Sequence, residues 1–228
     1  KAKKPVFVES LPQSPVSRPP PLREPVHFRR KWYNGLYHFS RGETVRKVQI
    51  TKERYDKMNM QKVQTHSVFR ILDHNGRSDS DRSRNRKNEN IDPTRSHLNY
   101  NLAVKDQPML PYEYFLKRKN EVYTHGNAKV GIVSWVITKP KTLPENETEE
   151  FFKAAYDFFV KKHGVKNVVS SFVHRDETTQ HMHFCFVPVV IDEKKGEKLC
   201  AKSATTKRYL DKAHPEAEEY ISNALGHH

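Results

Sequence analysis

The chain has 228 residues, 35% of them hydrophobic, and a formal net charge of +14. Its length allows one large domain or two small ones, and no stretch approaches the roughly 18 consecutive apolar residues that a membrane span needs. The only two cysteines, Cys185 and Cys200, exclude a disulfide framework and favour a reducing compartment such as the cytoplasm. The positive charge indicates an anionic partner, of which nucleic acid is the commonest.

The first 57 residues differ in composition from the rest. They contain 14 Lys and Arg against 5 Asp and Glu, a net charge of +9, which leaves +5 for the remainder. Seven of the fourteen prolines lie within residues 1–25, and proline has no amide hydrogen with which to sustain a helix or a central strand. The composition therefore predicts a basic, proline-rich N-terminal extension over residues 1–57 and a main domain over residues 58–228.

Hydrophobic patterning in the main domain predicts a mixture of strands and helices. The β-branched segment 58–72 predicts a first strand, and the polar segment 73–95 predicts a long loop. A helix is predicted over 111–122, where a proline suits the first turn, and another over 144–164, which has an acidic start, a basic end and a terminal glycine. Further strands are predicted over 129–138, 166–174 and 182–190, and polar helices over 203–224.

The last two predicted strands indicate the fold class. Only a short connection joins 166–174 to 182–190, so the two are expected to form an antiparallel hairpin. Together with the helices this predicts an α+β fold, a two-layer sandwich in which helices cover one face of a mainly antiparallel sheet. Met182, Phe184 and Phe186 point to one side of their strand and are predicted to face the core beneath the helices.

The hairpin contains HRDETTQHMH, residues 174–183, with three histidines in ten positions. His181 and His183 share a strand face because successive side chains alternate, and a short connection returns His174 beside them. Three imidazoles on one patch of sheet predict a metal site that suits manganese, zinc, nickel or copper better than calcium. The alternative is three satisfied or exposed histidines in a chain that has thirteen.

Three neighbours bear on this predicted site. Cys185 lies on the same face and is either a fourth ligand or a small buried thiol, and the open position that a catalytic metal needs favours the thiol. Metal-bound histidines usually donate their second N–H to a carboxylate or a carbonyl, and Glu177 and Asp176 are the candidates. For Asp176, an exposed position in the loop is the better interpretation.

Three segments resemble the motifs of a known family. HRDETTQHMHFCFVPV is similar to the third motif of the Mob/Pre (MobV-type) plasmid mobilisation relaxases, H-x-D-E-x-T-P-H-M-H followed by a short apolar strand and V-P. NIDPTRSHLNYNL, residues 90–102, resembles their second motif, and DHNGR, residues 73–77, their first. LCAKS, residues 199–203, matches the stretch that follows the third motif, so the resemblance covers residues 58–228.

The resemblance implies a function and a set of roles. It implies an HUH endonuclease that nicks one DNA strand at a plasmid transfer origin, with His174, His181 and His183 holding a divalent metal, Mn²⁺ before Mg²⁺. It also implies a histidine of the first motif as nucleophile. Two features depart from the pattern: Gln180 replaces the proline before H-x-H and is expected to loosen the turn, and residues 1–57 lie outside it.

The chemistry can be argued from the residues as well. The non-bridging oxygens of a phosphodiester can fill the open positions of a metal on three imidazoles, and Arg77 either clamps a phosphate or is merely solvated. His74 is the first choice of nucleophile, because a neutral imidazole is already nucleophilic near pH 7. Tyr100, with a pKa of about 10, is the runner-up, although packing is its better interpretation. The role of Asn99 stays open, and His66 and His97 are further alternatives.

Three functions compete on this basis. The first is a relaxase acting through a covalent 5′-phosphate–protein intermediate on single-stranded or hairpin origin DNA, together with the conjugation machinery of a helper element. The second is a rolling-circle replication initiator of the same fold, which a tyrosine adduct would favour. The third is a nucleic-acid-binding domain with a non-catalytic metal site.

Overall fold

The computed structural model describes residues 58–78 and 90–227. The predicted extension over residues 1–57 and part of the predicted loop, residues 79–89, lie outside these ranges. The strands of the described residues are β1 (Met58–Gln64), β2 (Tyr100–Asn101), β3 (Tyr123–Thr124), β4 (Val130–Thr138), β5 (Val168–His174), β6 (His181–Phe186), β7 (Val189–Asp192) and β8 (Gly196–Leu199).

The strands form two sheets. The central sheet has the order β1-β4-β6-β5-β2, and every neighbouring pair in it is antiparallel. The smaller sheet has the order β3-β8-β7, with β3 parallel to β8. The predicted hairpin is therefore confirmed as β5–β6, at the centre of an α+β fold.

Five helices accompany the sheets in the described residues, and none of them is long and apolar enough to cross a lipid bilayer. The longest two begin and end close to their predicted positions. A 3-10 turn, Glu145–Glu147, precedes the helix Thr148–His163. The helices are α1 (Val68–Asn75), α2 (Pro111–Glu121), α3 (Thr148–His163), α4 (Ala201–Ala204) and α5 (Lys207–Leu225).

One face of the central sheet is packed with apolar side chains beneath α3 and α5. Met182, Phe184 and Phe186 of β6 are all at most 1% exposed, as predicted, and Phe184 stacks on Phe159 of α3 with 5.1 Å between ring centroids. Burying an aromatic side chain of this kind stabilises the fold by about 1.5–3 kcal/mol. This face therefore contains the main core of the domain.

Helices also cover part of the other face, where the sequence predicted none. Val68 of α1 and Phe115 of α2 form a second apolar cluster with sheet residues that include Ile132. Gly131 of β4 makes this approach possible, because a Cβ there would lie 2.9 Å from Val68 Cγ2 and 3.0 Å from Phe115 Cζ. A side chain at that position would push both helices away from the sheet.

The first predicted strand is wrong in its second half. β1 ends at Gln64, a 3-10 turn follows, and α1 begins at Val68, so residues 73–75 are helical rather than part of a loop. Val68, Leu72 and Asn75 are buried at helical spacing, a pattern that the β-branched residues of the segment concealed. His66 lies in the 3-10 turn and is exposed, not in a strand.

The last predicted strand is also divided. β6 ends at Phe186, and the chain passes through Val187 and Pro188 before β7 begins in the smaller sheet. Proline cannot donate a ladder hydrogen bond, which explains the break at this point. The histidines of β6 therefore belong to the central sheet alone.

Candidate metal centre

Three imidazoles meet on the face of the sheet opposite α3. His174 ends β5, His181 and His183 lie on β6, and the strand register places His174 directly beside His181. The ring centroids are 4.8–5.1 Å apart, and one nitrogen from each ring lies within 4.8 Å of the others. The 3.0 Å between His181 Nε2 and His183 Nε2 is near the spacing of two ligands that are each about 2.1 Å from one ion. The donor set fits one divalent metal.

Backbone carbonyls orient two of the three rings. Nε2 of His174 donates to the carbonyl oxygen of Asn75 over 2.7 Å, and Nδ1 of His181 donates to that of Thr179 over 2.9 Å. These carbonyls take the place of the carboxylates that the sequence suggested. Each leaves the other ring nitrogen with a lone pair, the form that binds a metal; that of His181 faces His183, and that of His174 has the Arg77 guanidinium 3.1 Å away.

The protonation states suit this role. Burial, reinforced by the nearby charge of Arg77, lowers the pKa of His174 to about 3. Burial also lowers the pKa of His183 well below its usual value, with smaller contributions from His174, His181 and His74. Both rings are therefore neutral at pH 7. His74 precedes Asn75 in the last turn of α1, and the Asn75 carbonyl contacts the His174 ring.

Arg77 is buried beside His174, with only 7% of its surface exposed. Its guanidinium forms ion pairs with Asp176 and Glu177, and its Nη2 lies 3.1 Å from His174 Nδ1. Asp176 is fully buried, so its predicted exposure in the loop is wrong. Burial alone would raise the pKa of Asp176, but the neighbouring Asn99, Arg77 and Ser96 side chains together hold it below its ordinary value.

The end of α1 aims Arg77 inward. The amides of Arg77 and Ser78 donate to the carbonyls of His74 and Asp73, which makes a Schellman cap. Arg77 takes the left-handed position of that cap, with φ of 52°, where glycine is the usual residue. The ion pairs of the guanidinium offset the strain of this backbone conformation.

Residues of the second motif form hydrogen bonds to the acidic turn, the part of the β5–β6 connection that contains Asp176 and Glu177. The amide of Asp92 donates to the carbonyl of Asp176 over 2.7 Å, and the Ser96 hydroxyl donates to the Asp176 carboxylate over 3.0 Å. The Asn99 side chain accepts from the amide of Arg175 over 2.7 Å. Sequence reasoning left Asn99 without a role and missed Ser96, whose only signal was its position inside the motif.

The first motif contributes His74 and Asn75. His74 lies in the last turn of α1 and is half-buried, not in the predicted loop. Asn75, which sequence reasoning also missed, is buried and directs its Nδ2 to the sulfur of Cys185 over 3.5 Å. Cys185 also contacts the Ser134 hydroxyl, and burial raises the pKa of its thiol. Cys185 is thus a buried packing thiol and lies outside the metal-ligand group.

Comparisons with known proteins agree with this geometry. The family model Mob_Pre, described as plasmid recombination enzyme, matches residues 52–225. The chain belongs to the Mob_Pre family. A plasmid recombination enzyme of Streptococcus agalactiae is 31% identical over 173 residues, which are 72% of this chain and 33% of the relative. One of Lactiplantibacillus plantarum is 32% identical over 154 residues, which are 64% of this chain and 41% of the relative. The chain thus spans about a third to two fifths of the relatives it matches.

Solved structures of the same family have the same fold. The MobM relaxase domain, in Mn-bound crystals with oriT DNA of plasmid pMV158, superimposes with a TM-score of 0.59 at 29% identity over 73% of this chain and 85% of that one. A second MobM complex with this DNA gives 0.60 at 28% identity over 73% of this chain and 84% of that one. The α+β fold inferred from the sequence is confirmed.

Gln180 stands where the Mob_Pre pattern has proline. Its side-chain Nε2 donates to Glu145 over 2.9 Å, and its main-chain carbonyl accepts from the main-chain amide of Lys139 over 2.9 Å. Arg175 also donates to Glu145 over 2.9 Å. The turn between β5 and β6 is therefore anchored to the segment before α3, where a looser turn was expected.

The structure places the other two candidate nucleophiles of the second motif in different surroundings. Tyr100 pairs with Val173 and packs against the apolar core, on the opposite face of the sheet. Burial, with a smaller contribution from Glu149, raises the pKa of Tyr100 to about 12. His97 is exposed, with its Nδ1 2.8 Å from the carbonyl of Thr94.

Proposed function

We propose that this chain contains the catalytic domain of a relaxase, which nicks one strand at a plasmid transfer origin and later rejoins it. The observation that carries the proposal is the patch of three imidazoles with Arg77 and the end of α1, which carries His74, beside it, in a chain of net charge +14. The MobM domain, a relative of the same fold, is bound to Mn and to oriT DNA. The proposed substrate is single-stranded or hairpin origin DNA.

In this proposal His174, His181 and His183 hold the metal, with Mn²⁺ preferred and Mg²⁺ as the alternative. The bound ion supplies positive charge that offsets the charge developing on the scissile phosphate. The residues of the chain prepare the ligands for it. The carbonyls of Asn75 and Thr179 fix the orientation of two rings, and burial keeps His174 and His183 neutral.

His74 is the proposed nucleophile. A lone pair on its imidazole forms a bond to phosphorus, and the bond from phosphorus to the 3′ oxygen breaks. The oxygen gains a proton to become the 3′-hydroxyl, and the imidazole loses the proton on its second nitrogen. The product is a phosphoramidate that links His74 to the 5′-phosphate. Because it retains the energy of the phosphodiester, rejoining needs no ATP.

Arg77 and Glu177 complete the proposed catalytic group. Within the described residues, Nη1 of Arg77 is buried and has no hydrogen-bond partner, so an N–H is available for a phosphate oxygen. Glu177 and Asp176 engage the other guanidinium nitrogens and fix its plane. A charged hydrogen bond from a guanidinium held in this way would position the phosphate beside His74.

The remaining expectations are also proposals. Residues 1–57 are proposed as a basic extension that strengthens DNA binding, and residues 58–228 as the catalytic domain. Deleting residues 1–57 should flatten the salt dependence of DNA affinity while metal-dependent nicking persists, because fewer counterions are then released. The two free cysteines of the described residues suit the cytoplasm. Transfer between cells would require the conjugation machinery of a helper element.

The test of the proposal uses the full chain with Mn²⁺. One probe is supercoiled plasmid carrying the pMV158 origin, and a second is a randomised single-stranded library that presupposes no sequence. Relaxed circles or oligonucleotides with protein covalently attached are expected from at least one probe. If neither yields nicks or adducts, while DNA still binds, the chain is a binding domain and the proposal fails.

The chemistry of the adduct identifies the nucleophile. A phosphorus–nitrogen bond to histidine breaks in mild acid, whereas a phosphotyrosine ester survives it. The adduct should be acid-labile, absent in His74→Ala and retained in Tyr100→Phe. An acid-stable adduct that disappears in Tyr100→Phe would assign the chemistry to tyrosine and favour a replication initiator.

A further inference from the structure

A groove of about 430 Å³ runs between β1 and α1, outside the histidine cluster. Residues Gln61–Gln64 of β1 form one wall. β1 ends the order of the central sheet, so within the described residues no strand pairs with its outer edge. The opposite wall consists of the side chains of α1 and its N-cap at helical spacing, namely Ser67, Arg70, Ile71 and His74.

The lining of this groove suits an anion with polar edges. None of the described lining residues is acidic, and two of them, Lys62 and Arg70, are cationic and exposed. Neither cation has an acidic partner within residues 58–78 and 90–227. Gln61 and Gln64 add two side-chain amides, each of which both donates and accepts hydrogen bonds. A nucleotide offers the complementary groups, since its phosphate is anionic and its base edge carries donors and acceptors.

The position of the groove links it to the reaction. Ser67, Arg70 and His74 are spaced so that they lie along one face of α1. The wall of the groove that they form therefore ends at His74, the proposed nucleophile. If His74 attacks the scissile phosphate, the DNA strand must pass this end of the groove. The volume lies within the range of pockets that hold small ligands, and it is too small for a duplex.

We propose that this groove binds the nucleotide that adjoins the scissile phosphate in a single DNA strand. Arg70 contacts the backbone phosphate from α1, Lys62 adds positive charge at the exposed edge of β1, and Gln61, which shares a strand face with Val63, contacts the edge of the base. The link to the scissile position rests on the proposed function. The binding of single-stranded DNA in the groove does not, so the two can fail separately.

The test measures binding in the absence of cleavage. The full chain is titrated with a short fluorescent oligothymidylate in EDTA, and affinity is followed from about 50 to 200 mM salt. Each phosphate contact contributes about 0.7 to the steepness with which log affinity falls against log salt for a single strand. The loss of affinity between the two salt concentrations should therefore be about 2.6-fold smaller in Lys62→Gln, and likewise in Arg70→Gln, than in the wild type. Lys207→Gln is the matched control, since it removes an equal charge from α5, which packs on the other face of the sheet.

A second variant blocks the groove without changing its charge. Ser67 is half-buried and its side chain makes no capping hydrogen bond, so Ser67→Trp fills the groove without breaking a contact of α1. Affinity for oligothymidylate should fall on the order of tenfold, the scale of one lost base contact. Circular dichroism confirms that the variant is folded.

The outcomes separate the two proposals. Wild-type slope and affinity in Lys62→Gln, Arg70→Gln and folded Ser67→Trp would overturn the inference. Altered binding in these variants, in a protein that forms no covalent adduct, would retain the groove as a DNA site and reject the nicking function.

Discussion

The two faces of strand β6 have opposite character. Met182, Phe184 and Phe186 point to one side and are completely enclosed by apolar neighbours. His181 and His183 point to the other side, where two imidazole nitrogens lie 3.0 Å apart. Burying the apolar side chains stabilises the fold, whereas burial on the other side disfavours the charged form of an imidazole. The alternation of side chains along the six residues of β6 thus puts the residues that stabilise the fold on one face and the candidate metal ligands on the other.

The two faces also differ in how their residues depend on each other. On the apolar face each side chain contributes through its own buried area. On the polar face each contact positions the next: Ser96 holds Asp176, Asp176 holds Arg77, and Arg77 contacts His174. Substitutions on the apolar face should therefore change stability, and those on the polar face should change metal binding and cleavage. The following four predictions test this contrast.

The largest effect is expected from the loss of one imidazole. His181→Ala should abolish Mn²⁺ binding and nicking, because two imidazoles leave the ion without a third protein ligand. The melting temperature in EDTA should change little, since half-buried His181 makes a single backbone contact to Thr179. Titration calorimetry with Mn²⁺ and thermal unfolding measure the two quantities. The control is His214→Ala, a histidine of α5 on the other face, and unchanged Mn²⁺ stoichiometry in His181→Ala would refute the metal site.

The opposite pattern is expected on the apolar face. Phe184→Ala should lower the free energy of unfolding by about 3–5 kcal/mol, because it removes a fully buried ring and leaves a cavity. The folded fraction should still bind Mn²⁺ with the wild-type stoichiometry. Urea unfolding monitored by circular dichroism gives the free energy. A loss of metal binding at full folding would mean that the two faces are coupled through the strand.

A smaller effect is expected from the acidic turn. Asp176→Asn keeps the shape of the side chain but removes the charge that fixes Arg77, so Mn²⁺ affinity should fall about 10–100-fold, as for other groups that support metal ligands. Asp192→Asn is the matched control, because it breaks an ion pair with Lys198 in the smaller sheet. Equal Mn²⁺ affinities for the two variants would show that Asp176 does not position the site.

The smallest effect is expected on the pH dependence of folding stability, and it comes from a histidine on the apolar side of the sheet. Burial lowers the pKa of His163, which stacks on Phe186, to about 3. The unfolded chain therefore binds more protons than the folded one below pH 6.5, so this contribution to stability is complete above that pH and declines as pH falls toward 3. His163→Phe should reduce the stability lost between pH 7 and pH 5 by roughly 2 kcal/mol. Urea titrations in EDTA at both pH values measure it, and equal losses in both proteins would contradict the assignment.

Local patterns in the sequence were sufficient to predict the β5–β6 hairpin and helix α3. The alternation in β6 and the acidic start and basic end of α3 are properties of neighbouring residues, and the structure follows them. The three-histidine patch was predictable for the same reason, because its members lie on two adjacent strands.

The errors fall where distant contacts decide the structure. Asp176 is buried because Arg77, 99 positions earlier, lies against it, and no local pattern contains that pair. α1 is the exception, because the helical spacing of Val68, Leu72 and Asn75 is a local pattern that the β-branched residues of the segment concealed. Gln180 was expected to loosen its turn, but Glu145, 35 positions earlier, accepts its amide.

The local hairpin between His174 and His181 has a consequence for the order in which the site forms. Only a short turn separates these histidines, whereas Asn75 at the end of α1 is 99 positions from His174. Closing the longer loop costs about 2 kcal/mol more in chain entropy, and hairpins form within microseconds. The three imidazoles can therefore assemble early in folding, before α1 docks. A metal ion captured at that stage would bind a folding intermediate, and His74, the proposed nucleophile, would join it last.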